Sequence, residues 1–492
     1  VSNVVVIGAG LGGLASAALL ASQGHRVAVY EHAPTVGGKL GRLSAEGLTF
    51  DTGASLLTMP HVVREVFEAT GGWPEELVLQ QLSPIARVKF ADGTGFDVLP
   101  DVEAFCAELE AWTKESGFQW RRFHRRAERI WNATHEPFLE NELRGALTLG
   151  ALALRHPFRL RTVQPWRTLS KFTRARLRDA RLRQFVGRYA TYTGSDPRMA
   201  PAALAAIPYA EHHFGGWYIP GGLHRLADAL AARCTELGVD INLNQRVRLV
   251  HTERGSVSEI ELASGDRLAA DIVVANADAR QVYENLVPAA AGSAPARRLA
   301  KAPRSYSGFV LLLGVRGPRP PDLAHHTVLF APDSRPEFES LAGGTPVTYP
   351  TIYLSAPLDD SVRTDDAFPV FVLVNAPRQD QFDWTANGPR QSIKAAYANE
   401  ILDLMAERGF DFRNRLSFME IRTPADLGRD TLSPGGAIYG TSSNGARSAF
   451  LRPANRTPIR GLFLVGGSAH PGGGIPIVLR SAQITSRLIG PA

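Results

Sequence analysis

The feature that most restricts the fold of this chain lies near its amino end, where NVVVIG (residues 3–8) runs into GAGLGG (residues 8–13). A run of β-branched residues reads as a strand buried on both faces, and Gly8, Gly10 and Gly13 fall in G-x-G-x-x-G spacing before an Ala/Leu-rich helix. Each glycine answers a steric need: Gly8 a tight turn, Gly10 the approach of a pyrophosphate to bare backbone, Gly13 the close packing of helix on strand. Phosphates then sit at the positive end of the helix. A second strand, RVAVYE (residues 26–31), ends in Glu31, 18 residues after Gly13, where a carboxylate meets ribose hydroxyls. Strand, glycine turn, helix, strand and acid in that order specify a dinucleotide-binding unit. The stretch is uncharged from Val4 to Gln23, long enough for a spanning helix or a signal peptide. Its four glycines, at about 1 kcal/mol each in a helix interior, and the lack of preceding basic residues favour strand, turn and helix instead.

Six residues beyond Glu31, Gly37 and Gly38 form a second glycine turn followed by Lys39 and Arg42. A nicotinamide dehydrogenase has no need of it. The stretch resembles flavoproteins of the amine-oxidase and desaturase type, in which such a turn and its cations pass over the phosphates and ribityl chain of FAD, and FDTGAS (residues 50–55) resembles the next segment of those chains. Further along come a helix at 223–236, a strand at 239–243, a strand around Val247 and a buried strand within DIVVANAD (residues 271–278). The resemblance places the backbone of Val247 against the adenine ring. A strand at 462–465, a glycine turn containing Gly467, and a helix opened by Pro476 between Ile475 and Ile477 close the pattern. The resemblance implies that this helix points its amino end at the flavin, where it would stabilise the anion formed when hydride arrives.

The segment GLFLVGGSAHPGGGIPIVLRS matches the signature of the bacterial-type phytoene desaturases, G-x-F-L-x-G-G-S-A-H-P-G-x-G-I with a small residue, Ser481, six places later; Gly473 departs from it, standing where that family more often has a small side chain. RYATYTGSDPRMAPAALAAI (residues 188–207) and GGAIYGTSSNGARSAFLRP (residues 435–453) resemble more closely the hydroxycarotenoid 3,4-desaturases, the methoxyneurosporene dehydrogenase type. The resemblance implies an α/β fold: a discontinuous Rossmann-like FAD-binding domain from 1–60, 215–286 and 455–492, an α+β substrate domain from 61–120 and 287–454, and an arginine-rich helical cap at 121–214. In the substrate domain GFVLLLGV (308–315) and FPVFVLVNA (368–376) are expected as two stacked strands that, with a helix near 392–408, fit a sheet roofing the cavity. FAD is expected to be held non-covalently by Gly8, Gly10, Gly13, Glu31, Gly38, Lys39, Arg42, Val247, Gly467, Ile475 and Ile477.

The implied reaction introduces a double bond at the 3,4 position of an acyclic carotenoid end group bearing a hydroxyl at its terminal carbon. Hydride passes to the flavin and a proton leaves the neighbouring carbon. Positive charge spreads along the polyene, so no strong base is required, and orientation is the main task. His470, Arg188 and Tyr192 are the candidates for catalysis, Tyr189 and Tyr192 for lining the substrate site. A phytoene desaturase, a redox-neutral carotenoid isomerase, a flavin amine oxidase and an FAD-free membrane-surface module stand as alternatives. The electron acceptor, oxygen or a quinone, is left open.

Charge adds a partner. Residues 121–188 hold 17 Lys/Arg against 5 Asp/Glu within a chain of net charge +6, and they enclose the apolar GALTLGALAL (145–154) followed by HPFRLR (156–161). Such a block usually marks a solvated helical face, but cations flanking apolar residues also suit anionic headgroups. No nucleic-acid motif accompanies the arginines. Cys106 and Cys234 stand too far apart in sequence for a thiolate metal motif, so no metal is expected and a reducing compartment fits. The expected location is cytoplasmic, peripheral to the inner face of the cell membrane.

Overall fold

The computed structural model describes the chain except residues 114, 144–149, 151–153, 156, 389–390 and 446–451, and at 157–158 describes the backbone alone. The Val-rich first strand has no solvent face: Val4 to Ile7 are each at most 7% exposed, as a central parallel strand requires. The sheet runs Leu462–Leu464, Ile272–Ala275, Asn3–Ile7, Arg26–Tyr30 and Asp240–Asn242, all neighbours parallel. Helix Leu11–Ser22 follows the first strand, and Leu11 to Leu20 are all buried. A helix without a polar side must be enclosed, and it is packed against helices Arg225–Glu236 and Ile475–Ile489. Segments far apart in the chain thus share one core.

Helix Pro60–Glu68 joins that core as well, contributing Val62, Val63, Val66 and Phe67. Residues from 61 onward were expected in the substrate domain. The helix instead lies on Ile475–Ile489, where Glu65 accepts from both terminal guanidinium nitrogens of buried Arg480 and from Gln483 Nε2 at 3.2 Å. Beyond the parallel sheet, Val247–Glu253, Ser256–Leu262 and Arg267–Ala269 form an antiparallel meander.

A second sheet of seven strands runs Leu416–Arg422, Ser307–Arg316, Ala367–Ala376, Ile352–Ser355, His326–Leu329, Ala86–Lys89, Gly95–Val98. Ser307–Arg316 and Ala367–Ala376 belong to one sheet as expected, but side by side and not stacked. They are hydrogen-bonded antiparallel neighbours, with Leu312 opposite Phe371, because two strands this apolar bury more surface inside one sheet. Helix Ile393–Glu407 covers one face through Tyr397, Ile401 and Met405. On the other, Leu312 and Phe371 meet Leu48 and Phe50 from the hairpin Arg42–Ala45/Leu48–Asp51.

Helices Val102–Trp112, Ser116–His135, Leu169–Arg174, Ala180–Arg188 and Ala206–Phe214 surround an aromatic core of Phe105, Trp120, Phe123, Phe172, Phe185 and Tyr189. In Ser116–His135 the buried Trp120, Phe123, Ala127, Ile130 and Thr134 fall at helical spacing and leave Arg122, Arg125 and Arg129 outside. Part of the basic block is paired: Arg121 with Glu103 at 2.7 Å, Arg178 with Glu115 at 3.1 Å, Arg181 with Asp92 at 2.9 Å. Most of 145–154 lies outside the described residues, but Leu154 and Trp166 are 85% and 69% exposed. Among the described residues no helix is long and apolar enough to cross a membrane, and no cluster of three or more His, Cys, Asp or Glu is placed to hold a metal.

Candidate active site

The two glycine turns near the amino end are pressed together. The Gly37 amide donates to the Ala9 carbonyl at 2.9 Å, and a Cβ on Gly38 would stand 3.3 Å from Gly10 Cα. A Cβ on Gly13 would come within 2.0 Å of the Gly8 carbonyl oxygen, so helix and strand meet as the spacing requires. Glu31 is buried, and its carboxylate accepts from the Ala9 amide at 2.7 Å and the Ala33 amide at 2.9 Å. Burial pushes its pKa up, but His32 and the two amides outweigh this and hold it below the usual carboxylate range. An ionised acceptor therefore stands beside the first turn. The chain leading into Val247 runs alongside, Gln245 donating to the Glu31 carbonyl at 2.7 Å and Asn244 to that of Ala33 at 3.1 Å.

One neighbour escaped the sequence reading. Asn276 follows strand Ile272–Ala275 and fills the space among the glycines: its Nδ2 lies 2.8 Å from where a Gly10 Cβ would be, its Oδ1 2.8 Å from that of Gly12 and 2.6 Å from that of Gly466. Gly10 is thus required by this amide as well as by an approaching pyrophosphate. Helix Leu11–Ser22 has no side-chain cap at Gly10, which leaves its first-turn amides to meet an anion. Bare helix terminus, glycine cradle and ionised Glu31 together fit the pyrophosphate and ribose of FAD.

The carboxyl-terminal turn is fastened from several directions. Ser481 Oγ donates to the His470 carbonyl at 2.7 Å, and Asn455 Nδ2 reaches the Leu464 and His470 carbonyls and Ser481 Oγ at 3.1, 2.9 and 3.0 Å. A small hydroxyl six places after Ile475 is what closes the knot. His470 Nε2 lies 2.9 Å from the Asn141 carbonyl, which makes that nitrogen the donor, and burial lowers its pKa. Through that nitrogen it ties the turn to the helical region, and its acceptor lone pair is on Nδ1. Arg452, which the sequence reading assigned no role, is buried and donates to the carbonyls of Tyr439 at 2.8 Å and Gly467 at 3.1 Å. The departure at Gly473 is explained by Tyr439, whose Cδ1 would stand 2.4 Å from a Cβ there. Ile475 is buried and Ile477 half-buried at the start of helix Ile475–Ile489, with Pro476 in its first turn.

Lys39 and Arg42 separate. Arg42 is half-exposed and pairs with Asp228 at 3.4 Å, on the outer side of helix Arg225–Glu236. Lys39 turns inward and donates to the Ile438 carbonyl at 2.7 Å and that of Ala437 at 3.1 Å. Burial lowers its pKa to about 8, against the pull of Asp278. Lys39 keeps accessible surface although protein surrounds it, as do Arg188, Tyr192, Tyr353 and Tyr439. These side chains face an internal space.

Around that space Tyr189 donates to Glu211 at 2.5 Å and Tyr192 to the same carboxylate at 3.2 Å. The Arg188 guanidinium carbon lies 5.5 Å from the Tyr192 ring centre and 5.4 Å from that of Tyr353, which itself bonds Ser55 at 2.7 Å. Glu211 is fully enclosed; burial raises its pKa, opposed by the Tyr189 hydrogen bond and Arg188. Arg188, Tyr189 and Tyr192 are thus brought together as expected, while Glu211 was not foreseen. An acid inside the otherwise aromatic YAEHHF (residues 209–214) was the only signal of it.

The flavin-containing amine oxidoreductase family matches residues 11–490, and the chain belongs to that family. It is accordingly an oxidoreductase whose cofactor is FAD. The fold is that of a putrescine oxidase variant, with a TM-score of 0.66 at 14% identity over 99% of this chain and 98% of the other. Within the family it is similar to the bacterial-type desaturases, as the carboxyl-terminal signature implies. A hydroxyneurosporene desaturase of Rhodobacter capsulatus is 32% identical over 99% of this chain and 97% of its own. A 4,4'-diapolycopene oxygenase of Methylomonas is 32% identical over 98% and 97%. A 1-hydroxycarotenoid 3,4-desaturase of a Flavobacterium is 29% identical over 99% of both.

Proposed function

We propose that the protein is an FAD-dependent carotenoid desaturase that introduces a double bond at the 3,4 position of an acyclic end group carrying a hydroxyl on its terminal carbon. What supports the class is full-length similarity to desaturases named for such substrates. The observation that carries the reading is Tyr439. Its ring lies on the glycine turn at Gly473 and within reach of the Arg188 charge, so the turn and the tyrosine wall border one enclosed space.

FAD, when bound, accepts the hydride. Gly8, Gly10, Gly13, Gly38, Glu31, Lys39, Val247, Gly467, Ile475 and Ile477 hold it in this reading, and Arg42, paired outward, does not. The protein's own task is positional: the enclosing aromatic side chains exclude water and keep a long polyene in line, which fixes the carbon that reacts. No side chain is assigned as base, because the cation left behind is delocalised. The discontinuous FAD domain includes helix Pro60–Glu68 in this scheme. The substrate arrives from a bilayer, and the face carrying Leu154, Arg155, Arg159, Leu160, Arg161 and Trp166 is proposed as the docking surface on the inner leaflet.

The test is to supply FAD-loaded protein with a 1-hydroxylated acyclic carotenoid in liposomes, with oxygen or a quinone as acceptor. The expected product is two hydrogens lighter and absorbs further to the red by one double bond. The equal similarity to a diapolycopene oxygenase favours a second reading, oxidation of a terminal carbon, whose product gains oxygen. Efficient multi-step conversion of phytoene assigns the protein to phytoene desaturation instead.

A further inference from the structure

A hydrocarbon gives no reason for a charged pair inside its binding space, yet Arg188 and Glu211 are both enclosed there. Their arrangement is unusual for a structural ion pair. The Glu211 charge acts on Arg188 from beyond ion-pair distance, and Tyr192 stands between them in contact with both. Glu211 uses two of its roughly four acceptor sites on Tyr189 and Tyr192, and Arg188 brings five N–H donors to a wall where the rings of Tyr192 and Tyr353 and a hydrogen bond to the Tyr192 hydroxyl engage only part of them. Nearby polar groups already have partners: Tyr353 bonds Ser55, and neutral His326 donates from one ring nitrogen, its two nitrogens lying 3.0 and 3.1 Å from the carbonyls of Ile85 and Ser55. Spare donors therefore sit on Arg188, and spare acceptors on Glu211 and the Tyr192 oxygen.

We infer that Arg188, Tyr192 and Glu211 form the subsite that selects the substrate by its terminal hydroxyl, which accepts from Arg188 and donates to Glu211 or the Tyr192 oxygen. The inference rests on the desaturase reading above and deepens it by naming the residues that read the end group. A hydrocarbon end would fill the same space, cut the Arg188 donors off from water and leave the spare acceptor sites of Glu211 unused, a far stronger ground for rejection than shape alone. The subsite also bears on which bond reacts. Tyr439 lies on the flavin-side turn and within the field of Arg188, so an end anchored at Arg188 presents carbons near that end, rather than the middle of the polyene, to the cofactor.

The experiment compares three acyclic carotenoids differing only at the terminal carbon: hydroxylated, methoxylated and unsubstituted. Each is offered in liposomes to FAD-loaded wild type and to Arg188→Leu, Tyr192→Phe and Glu211→Gln, with flavin absorbance and melting temperature as checks on folding. Wild type is expected to favour the hydroxylated over the unsubstituted substrate by at least about 100-fold in kcat/KM, since the latter leaves the Arg188 donors desolvated without an acceptor from the substrate. Arg188→Leu and Tyr192→Phe are expected to reduce that ratio at least tenfold. Glu211→Gln should chiefly remove discrimination between hydroxyl and methoxyl, because a methoxyl accepts but cannot donate. A ratio unchanged in all three variants, or activity lost in parallel on every substrate, overturns the inference. If wild type desaturates none of the three, the desaturase reading fails, and carotenoid binding followed by tryptophan quenching still decides whether the variants lose hydroxyl selectivity.

Discussion

Placing a methyl group at position 473 tests the account of the flavin-side turn directly. Gly473 does not need a left-handed backbone, so Gly473→Ala introduces a clash and little else. Its Cβ would approach Tyr439 Cδ1 to 2.4 Å and Cε1 to 3.1 Å, well inside van der Waals contact, and Cδ1 is not the free end of a flexible side chain. The ring is also held through its backbone, the Tyr439 amide donating to Ser305 Oγ at 3.0 Å and Arg452 donating to its carbonyl at 2.8 Å. Overpacking of this kind costs about 1–3 kcal/mol. With ~2.1 cal/mol/K of unfolding entropy per residue, a chain of 492 residues melting as one unit loses only ~1 °C per kcal/mol. The assay is therefore a cycle of four proteins: wild type, Gly473→Ala, Tyr439→Ala and the double variant, each melted with and without FAD. Gly473→Ala should lower the midpoint by about 1–3 °C in the wild-type background and by less than about 0.5 °C once Tyr439 is Ala. Tyr439→Phe, which retains the ring, should give no relief. Equal costs in the two backgrounds would refute the argument that the tyrosine ring is why a glycine stands here.

Lys39 supplies a pH signature. Its pKa falls below the unfolded value, to about 8, so the stability it contributes is complete above 10.5 and is lost as pH falls through 8. Cofactor phosphates favour the protonated form, so FAD affinity should weaken roughly 30-fold between pH 7 and 9.5; a titration showing Lys39→Met with the same slope removes Lys39 from the phosphate site. At the surface, replacing Arg155, Arg159 and Arg161 with Gln should weaken binding to anionic liposomes by roughly 100-fold at low salt, at about 1 kcal/mol per cation. Binding that neither drops in the variant nor weakens with salt would place the docking face elsewhere.

The cofactor half of the site was legible because its demands are local. The clash between a Gly13 side chain and the Gly8 carbonyl involves residues five apart, and Glu31 ends the strand paired beside the first. Spacing in one dimension carries such information. Asn276, Arg452 and Tyr439 were not legible in the same way, since each acts on a partner from another segment: Asn276 on Gly10 and Gly466, Arg452 on Gly467, Tyr439 on Gly473. Composition around them gives no period and no pair to notice. Gly473 was noticed as a departure from a signature, but its reason was a ring 34 positions away. The stacked-strand expectation failed for a related cause. Two fully apolar strands look alike whether they face or adjoin each other, and only the register of Ser307–Arg316 against Ala367–Ala376 tells which.

The order of strands in the parallel sheet also sets a timetable for synthesis. Asn3–Ile7 and Arg26–Tyr30 leave the ribosome early, but the neighbour Ile272–Ala275 emerges some 240 residues later and the edge strand Leu462–Leu464 some 430 residues later. At ~5–20 residues per second the first glycine turn waits roughly 20–90 s before the far side of its cofactor site has been made. Throughout that interval the Val-rich strand and the buried helix behind it lack part of their cover, the strand Ile272–Ala275 until residue 275 and the helix Ile475–Ile489 until the last. Cofactor loading must await Leu462–Leu464, and until then Val4 to Leu20 depend on partial cover.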